Sequence, residues 1–166
     1  NSKPCELPEH VSNQLLESIP ASQMCNLSTF QTSGFAGKNL SLYVKALVGM
    51  NANMTATGAP GLTDLNLGGC EWQDGAWAGL CDMVSKSRSL AKLDLSNSII
   101  PANSQDAMRE LMKACQANEK TSNVVLAGTA LGEEGAVGFS DGLVDNATIL
   151  EVDLSHTDFN LQKQGL

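Results

Sequence analysis

One pattern of leucines recurs along the chain and constrains its fold more than any other feature. In SLAKLDLSNSII, apolar residues stand at positions 90, 93, 95 and 100, and a small residue stands at 98. The same spacing starts again at Leu62, Thr121 and Ile149. The central apolar positions of the four copies are 28, 31 and 28 residues apart. These spacings lie at or just beyond the 20 to 29 residues of leucine-rich repeats.

Between the copies, the apolar spacing changes from every second residue to every third or fourth, which is typical of a helix. The residues that show this spacing are Trp77, Leu80, Cys81 and Val84, then Met108, Leu111, Met112 and Cys115, then Val137, Phe139 and Leu143. Each unit is therefore predicted to be a short strand, a turn and a helix. Such a unit cannot bury its apolar face alone, so neighbouring units must stack. We assign the three extra residues of the middle spacing to PANSQ, at 101–105.

The N-terminal third is less regular but repeats the helical spacing. Leu40, Tyr43, Val44 and Leu47 precede the first helical set by a constant 37 residues, which predicts one more repeat with a strand near residues 25–30. Residues 7–19 read as a helix, either a cap or the back half of a preceding repeat. The predicted division is 1–24 for that helix, 25–61 for an irregular repeat with a loop insertion, 62–89, 90–120 with a short insertion, 121–148, and a truncated repeat at 149–166.

Composition excludes several classes of partner. The 166 residues carry a net charge of −8, without the clustered Lys and Arg that nucleic-acid binding needs. The apolar runs are far shorter than the ~20 residues that cross a bilayer. Five cysteines without metal-binding spacing favour a reducing, cytoplasmic compartment. Four N-x-S/T acceptors, at Asn26, Asn39, Asn53 and Asn146, leave secretion as the alternative.

No residue set predicts catalysis, a cofactor or a metal site. Ser155, His156 and Asp153 or Asp158 contain the residue types of a triad, but they follow one strand instead of converging from several elements. Glu133 and Glu134 read as acidic residues at a helix start. The small residue of each copy has a structural interpretation, since its side chain can satisfy backbone groups buried between units; these residues are Cys70, Ser98, Thr129 and Thr157.

The segments LTDLNLGGCEWQDGAWAGL, LAKLDLSNSII and TSNVVLAGTALGEEGAVGFSDGLVDNATILEVDLSHTDF resemble the ribonuclease-inhibitor-like class of leucine-rich repeats. The resemblance rests on the repeat length, the full helix in each unit and the LGEEGA run that leads to the next LDLS. It implies an α/β fold, a right-handed horseshoe-shaped solenoid with short parallel strands on the concave face and helices on the convex face. The chain ends at Leu166, just after a predicted strand and without the helix that should follow, so we expect the natural protein to continue.

The residues beside each central strand position should point away from the core, onto the concave face. They are Asp64, Asn66, Lys92, Asp94, Asn123, Val125, Glu151 and Asp153. Four carboxylates against one lysine predict an acidic surface that favours a basic protein partner. The leading hypothesis is a non-enzymatic protein-interaction module. Two alternatives are a GTPase-activating or other regulatory protein acting through its rim loops, and a structural segment of a large assembly.

Overall fold

In the computed structural model, residues 28–31, 40–41, 43–49 and 61–158 are described. Strands and helices alternate along them in the order β1 (Thr29–Gln31), α1 (residues 40, 41 and 43–49), β2 (Asp64–Asn66), α2 (Asp74–Lys86), β3 (Lys92–Asp94), α3 (Ser104–Asn118), β4 (Asn123–Val125), α4 (Gly132–Leu143) and β5 (Glu151–Asp153). The helix predicted at 7–19, much of the irregular repeat at 25–61, and the final residues 159–166 lie outside the described residues.

The five strands form one parallel sheet in chain order. Their central residues pair in a single row, Phe30, Leu65, Leu93, Val124 and Val152. The prediction of an α/β fold with short parallel strands is confirmed at this level. Phe30 precedes Leu65 by 35 residues, whereas the helical alignment of the sequence gave 37. The offsets differ because Leu40 follows Phe30 by 10 residues, whereas Trp77 follows Leu65 by 12. The helices in the described part of the chain are too short or too polar to span a bilayer.

The core lies between the sheet and the helices. Leu65, Leu93 and Val124 are at most 1% exposed and face the helices. All the apolar residues that the sequence predicted for the buried sides of α1, α2 and α3 are buried. Trp72 and Trp77 contact each other edge to face, with ring centroids 5.4 Å apart. The indole nitrogen of Trp77 donates to the Ala107 carbonyl 2.9 Å away, which joins α2 to α3. The apolar residues with helical spacing in these helices therefore form the core, as predicted.

Helix α4 departs from the prediction at Val137, which is 39% exposed. The helix instead turns Gly135, Gly138 and Gly142 toward the core, together with Phe139. A Cβ placed on Gly138 would lie 1.9 Å from the Gln105 carbonyl oxygen, so only glycine permits this approach of α4 to α3. Glycine carries no hydrophobic signal, which is why the apolar spacing selected the wrong residue.

Side chains tie each unit to the one before it. Thr129 Oγ1 donates to the Leu95 carbonyl at 3.0 Å and Ser98 Oγ to the Leu67 carbonyl at 3.4 Å, which confirms the structural interpretation of these two small residues. Thr157 Oγ1 instead donates within its own turn, to the Leu154 carbonyl at 2.7 Å.

Asn118 makes a second set of links at the end of α3. Its buried side-chain amide donates to the Val84 carbonyl at 2.6 Å and the Ser87 carbonyl at 2.8 Å, both at the end of α2. Its oxygen accepts from the Lys120 and Thr121 backbone amides, each at 2.9 Å. Carbonyls at a helix end lack partners within the helix. Asn118 supplies a donor to the Ser87 carbonyl, and a second donor to the Val84 carbonyl, which also accepts the Ser87 amide at 3.2 Å.

Candidate interaction surface

The sheet face opposite the helices is not covered by any element of the described chain. It carries the residues on either side of each central strand position, and we call it the open sheet face. All eight residues predicted for the concave face lie on it, each partly or fully exposed: Asp64, Asn66, Lys92, Asp94, Asn123, Val125, Glu151 and Asp153. Strand β1 adds Thr29 and Gln31, which the sequence did not indicate because TFQ lacks the leucine pattern.

Strand register arranges these residues in two rows. The first row is Thr29, Asp64, Lys92, Asn123 and Glu151, and the second is Gln31, Asn66, Asp94, Val125 and Asp153. Neighbours within a row belong to adjacent strands, which lie about 4.8 Å apart. The open sheet face carries four carboxylates and one ammonium group, so its net charge is negative. A shallow groove of about 160 Å³ lies over β1, β2 and β3.

The second row has a structural role that the sequence interpretation missed. Asn66 Oδ1 accepts the Gly68 amide at 3.0 Å, and Asp94 Oδ1 accepts the Ser96 amide at 2.9 Å. Asp153 Oδ1 accepts from Ser155 in the same way at 2.9 Å. These are Asx turns, in which a short polar side chain bonds the backbone two residues further on. The sequence signal for these turns, which the interpretation overlooked, is the Asp or Asn at the end of the strand, two residues before the amide that it accepts.

Lateral hydrogen bonds join the strands of this face in two pairs. Asn66 Nδ2 donates to Asp94 Oδ2 at 3.0 Å, which links β2 to β3. Asn123 Nδ2 donates to Glu151 Oε2 at 2.5 Å, which links β4 to β5. Within the described residues, no side-chain hydrogen bond crosses from β3 to β4, and Lys92 takes part in no ion pair.

Hydrogen bonds from the Ser155 side chain and backbone hold the pKa of Asp153 below its usual value, with a smaller contribution from the nearby His156. Asp153 is therefore a carboxylate at neutral pH. The Asp158 carboxylate lies at the start of α4, where it accepts hydrogen bonds from the Leu131 and Gly132 amides at 2.7 and 2.9 Å. These residues have separate structural roles and do not converge on a common site.

Within the described ranges, no group of three His, Cys, Asp or Glu residues could hold a metal ion. Cys70, Cys81 and Cys115 are buried and form no disulfide. Burial raises the pKa of both Cys81 and Cys115 to about 12. A thiol with such a pKa is almost wholly protonated at neutral pH, so these side chains pack as small apolar groups. Cys5 and Cys25 lie outside the described residues.

No protein-family model matches the chain, and no curated protein matches it. The solved structures that share its fold include a tropomodulin domain and a leiomodin segment. The C-terminal domain of a Caenorhabditis elegans tropomodulin is 14% identical, with a TM-score of 0.58 over 89% of this chain and 81% of that one. Leiomodin-1 actin-binding site 2 is 12% identical, with a TM-score of 0.62 over 95% of this chain and 82% of that one. At such identities the likeness shows the fold alone.

These comparisons correct the class suggested by the sequence. The fold is that of a tropomodulin domain and a leiomodin segment, and no family model supports the ribonuclease-inhibitor-like class, so that assignment is wrong. The residues that suggested this class lie at the strand centres, the turns and the helix starts of each unit. Such residues report the strand–turn–helix unit and do not distinguish one class of proteins that contain it from another.

Proposed function

We propose that this chain is a non-enzymatic protein-binding module whose contact surface is the open sheet face. The observation that carries the proposal is a five-strand face of mostly polar side chains that the described chain leaves uncovered, while the helices cover the other side. In this proposal the units form an arc of a right-handed solenoid, and the open sheet face is its concave side. Solenoids use such extended concave surfaces to bind other proteins.

The proposed partner presents a basic surface to the four carboxylates. Complementary charge of this kind increases the association rate and disfavours wrong partners. Actin is the first protein to test, because the leiomodin-1 segment that shares this fold is an actin-binding site.

An intracellular location is part of the proposal. Three buried cysteines that form no disulfide suit a reducing compartment. The side-chain amide of Asn146, one of the four glycosylation acceptors, donates to the Met112 carbonyl at 3.3 Å. Its oxygen accepts the Thr148 and Ile149 amides at 3.0 and 3.1 Å. A glycan would need that amide nitrogen, so this acceptor sequence already serves the fold.

The test is binding to actin, measured by co-sedimentation with filaments and by fluorescence anisotropy with monomers. The double variant Asp94→Lys and Asp153→Lys reverses two charges on the open sheet face, and we expect it to weaken binding at least about tenfold. The matched control is Glu110→Lys with Glu134→Lys, two exposed residues of α3 and α4 that produce the same change in net charge.

Binding that survives the open-face variant, or that falls equally in the control, would exclude this face as the contact surface. Absence of actin binding by the wild-type chain would exclude actin. The same pair of variants would then be applied to basic protein candidates.

A further inference from the structure

The open sheet face has one break in its polar pattern, between β3 and β4. Val125 stands where neighbouring strands place Asp94 and Asp153, and the register puts it directly between them. Valine cannot accept a backbone amide, so this strand lacks the Asx turn of its neighbours. Between β3 and β4, as between β1 and β2, no lateral side-chain hydrogen bond joins the described strands. An apolar spot flanked by two carboxylates therefore lies near the middle of the face.

We propose that this spot docks an arginine side chain of the partner, with its aliphatic stem on Val125 and its guanidinium group between Asp94 and Asp153. This inference rests on the proposed function and specifies its point of contact. The two carboxylates belong to strands on either side of β4, so their backbones lie about 10 Å apart. A planar guanidinium group has donors directed outward on more than one side, so it can donate to both carboxylates through their free acceptor positions.

Both carboxylates are held in position before a partner arrives. Asp94 accepts from Ser96 and Asn66, and Asp153 accepts from Ser155. An ionised carboxylate offers about four acceptor positions, so each retains capacity toward Val125. Side chains that are already ordered lose little freedom on binding. Arginine fits better than lysine because its fork of donors reaches two carboxylates and its guanidinium is more weakly hydrated.

Lys92 can be used to test whether charge near Val125 affects arginine docking in the expected direction. It lies on β3, two residues before Asp94, and its exposed ammonium group has no ion-pair partner among the described residues. A cation near the docking spot repels an incoming guanidinium group. Removal of this charge should therefore strengthen docking.

The test uses the whole chain labelled with ¹⁵N and a capped Gly-Arg-Gly peptide, with a capped Gly-citrulline-Gly peptide as the neutral isostere. We expect the arginine peptide to shift the Ser96, Val125 and Ser155 amide resonances and the citrulline peptide to leave them in place. Combined Asp94→Asn and Asp153→Asn should raise the dissociation constant about fivefold, within the range for exposed charge pairs. Lys92→Gln should lower it about twofold.

Asp64→Asn is the control for the position of the charge, and it removes one negative charge where the double variant removes two. It lies on the same face but two strands from Val125, beyond a Debye length of about 8 Å at physiological salt, so it should change the dissociation constant less than about 1.5-fold. Asparagine keeps an acceptor oxygen for the Ser96 and Ser155 amides, and the dispersion of the ¹⁵N spectrum checks that each variant is folded.

Equal shifts by the two peptides, or equal effects of the control and the double variant, would overturn this inference. If actin binding nevertheless depends on the open-face charges, the proposed function stands without the arginine contact. If the arginine peptide docks as expected while actin does not bind, the contact stands and actin is excluded.

Discussion

At the scale of single residues, Asp94 serves the fold and the proposed function at once. One of its oxygens closes the turn after β3, and the other accepts from Asn66 on the neighbouring strand. The sequence interpretation took this aspartate to be free for a partner. Strand alternation placed it correctly on the open face, but alternation says nothing about which bonds a side chain makes there. The turn contacts could have been predicted from the short polar side chain two residues before Ser96.

The turn after each of β2, β3, β4 and β5 also contains one residue with positive φ, which glycine adopts at little cost. Gly69, Asn97, Gly128 and His156 occupy this position, with φ of 71°, 54°, 68° and 58°. We expect His156→Asn to raise the free energy of unfolding by about 0.5 to 1 kcal/mol, since asparagine tolerates this conformation better. Urea denaturation would measure the change.

Gly128→Ala is the opposing variant at the equivalent turn. Its Cβ would meet the Asn97 side-chain oxygen, and its φ would be strained, so it should lower the free energy of unfolding by at least about 1 kcal/mol. A loss of stability in His156→Asn, or none in Gly128→Ala, would show that backbone strain does not govern this position.

At the scale of elements, the helices show where sequence periodicity succeeds and where it fails. The apolar stripes of α2 and α3 could be predicted because leucine, methionine and tryptophan fill the space against the sheet. The buried side of α4 could not, because Gly135, Gly138 and Gly142 allow the backbone itself to approach α3. A pattern search that counts apolar side chains passes over such a face and selects Val137 instead.

Gly138→Ala tests this packing directly. The added methyl group would collide with the backbone of Gln105, which cannot move without displacing the start of α3. Overpacking of this kind typically costs ~1 to 3 kcal/mol, and contact with backbone puts this site at the upper end of that range. Thermal and urea unfolding would measure the loss.

The control for Gly138→Ala is Gly75→Ala, in the first turn of α2. A Cβ there meets nothing within 4 Å, so the variant should gain up to about 1 kcal/mol from helix propensity. If both alanine variants changed stability by similar amounts, close approach of the helices would not explain the glycines of α4.

At the scale of the whole molecule, the repeat predicts the α/β architecture because each strand must pair with the next and each helix must cover it. The open sheet face follows from the same repeat. The class of the protein does not follow, since stacking demands similar residues wherever such units occur. Val125, by contrast, departs from the repeat, because the neighbouring strands carry aspartate at this position. The proposed arginine contact is based on this departure.

The buried thiols make the stability of the whole molecule depend on pH in the alkaline range. Burial raises the pKa of Cys81 and Cys115 from 9.0 to about 12, so between these values the native state holds protons that the unfolded state releases. Stability from these groups is complete below about pH 9 and falls as the pH rises toward 12. The loss has a limiting slope of about 1.4 kcal/mol per pH unit for each thiol.

Urea denaturation at pH 8, 9 and 10 checks this dependence, with a Cys81→Ala and Cys115→Ala variant as the control. The variant should be less stable at pH 8 because of the space left in the core, and its stability should fall less between pH 9 and 10. If the free energy of unfolding had the same pH slope in the two proteins, ionisation of these thiols would not destabilise the native state.

Photo-crosslinking to actin tests most directly whether the open sheet face is the contact surface. A benzophenone side chain at position 123 lies on that face, and one at the exposed position 113 lies on α3. The account predicts that irradiation links actin to the chain from position 123 and not from position 113. Cross-links from position 113 alone, or equal cross-links from both, would contradict it. Absence of cross-links from both would contradict actin as the partner.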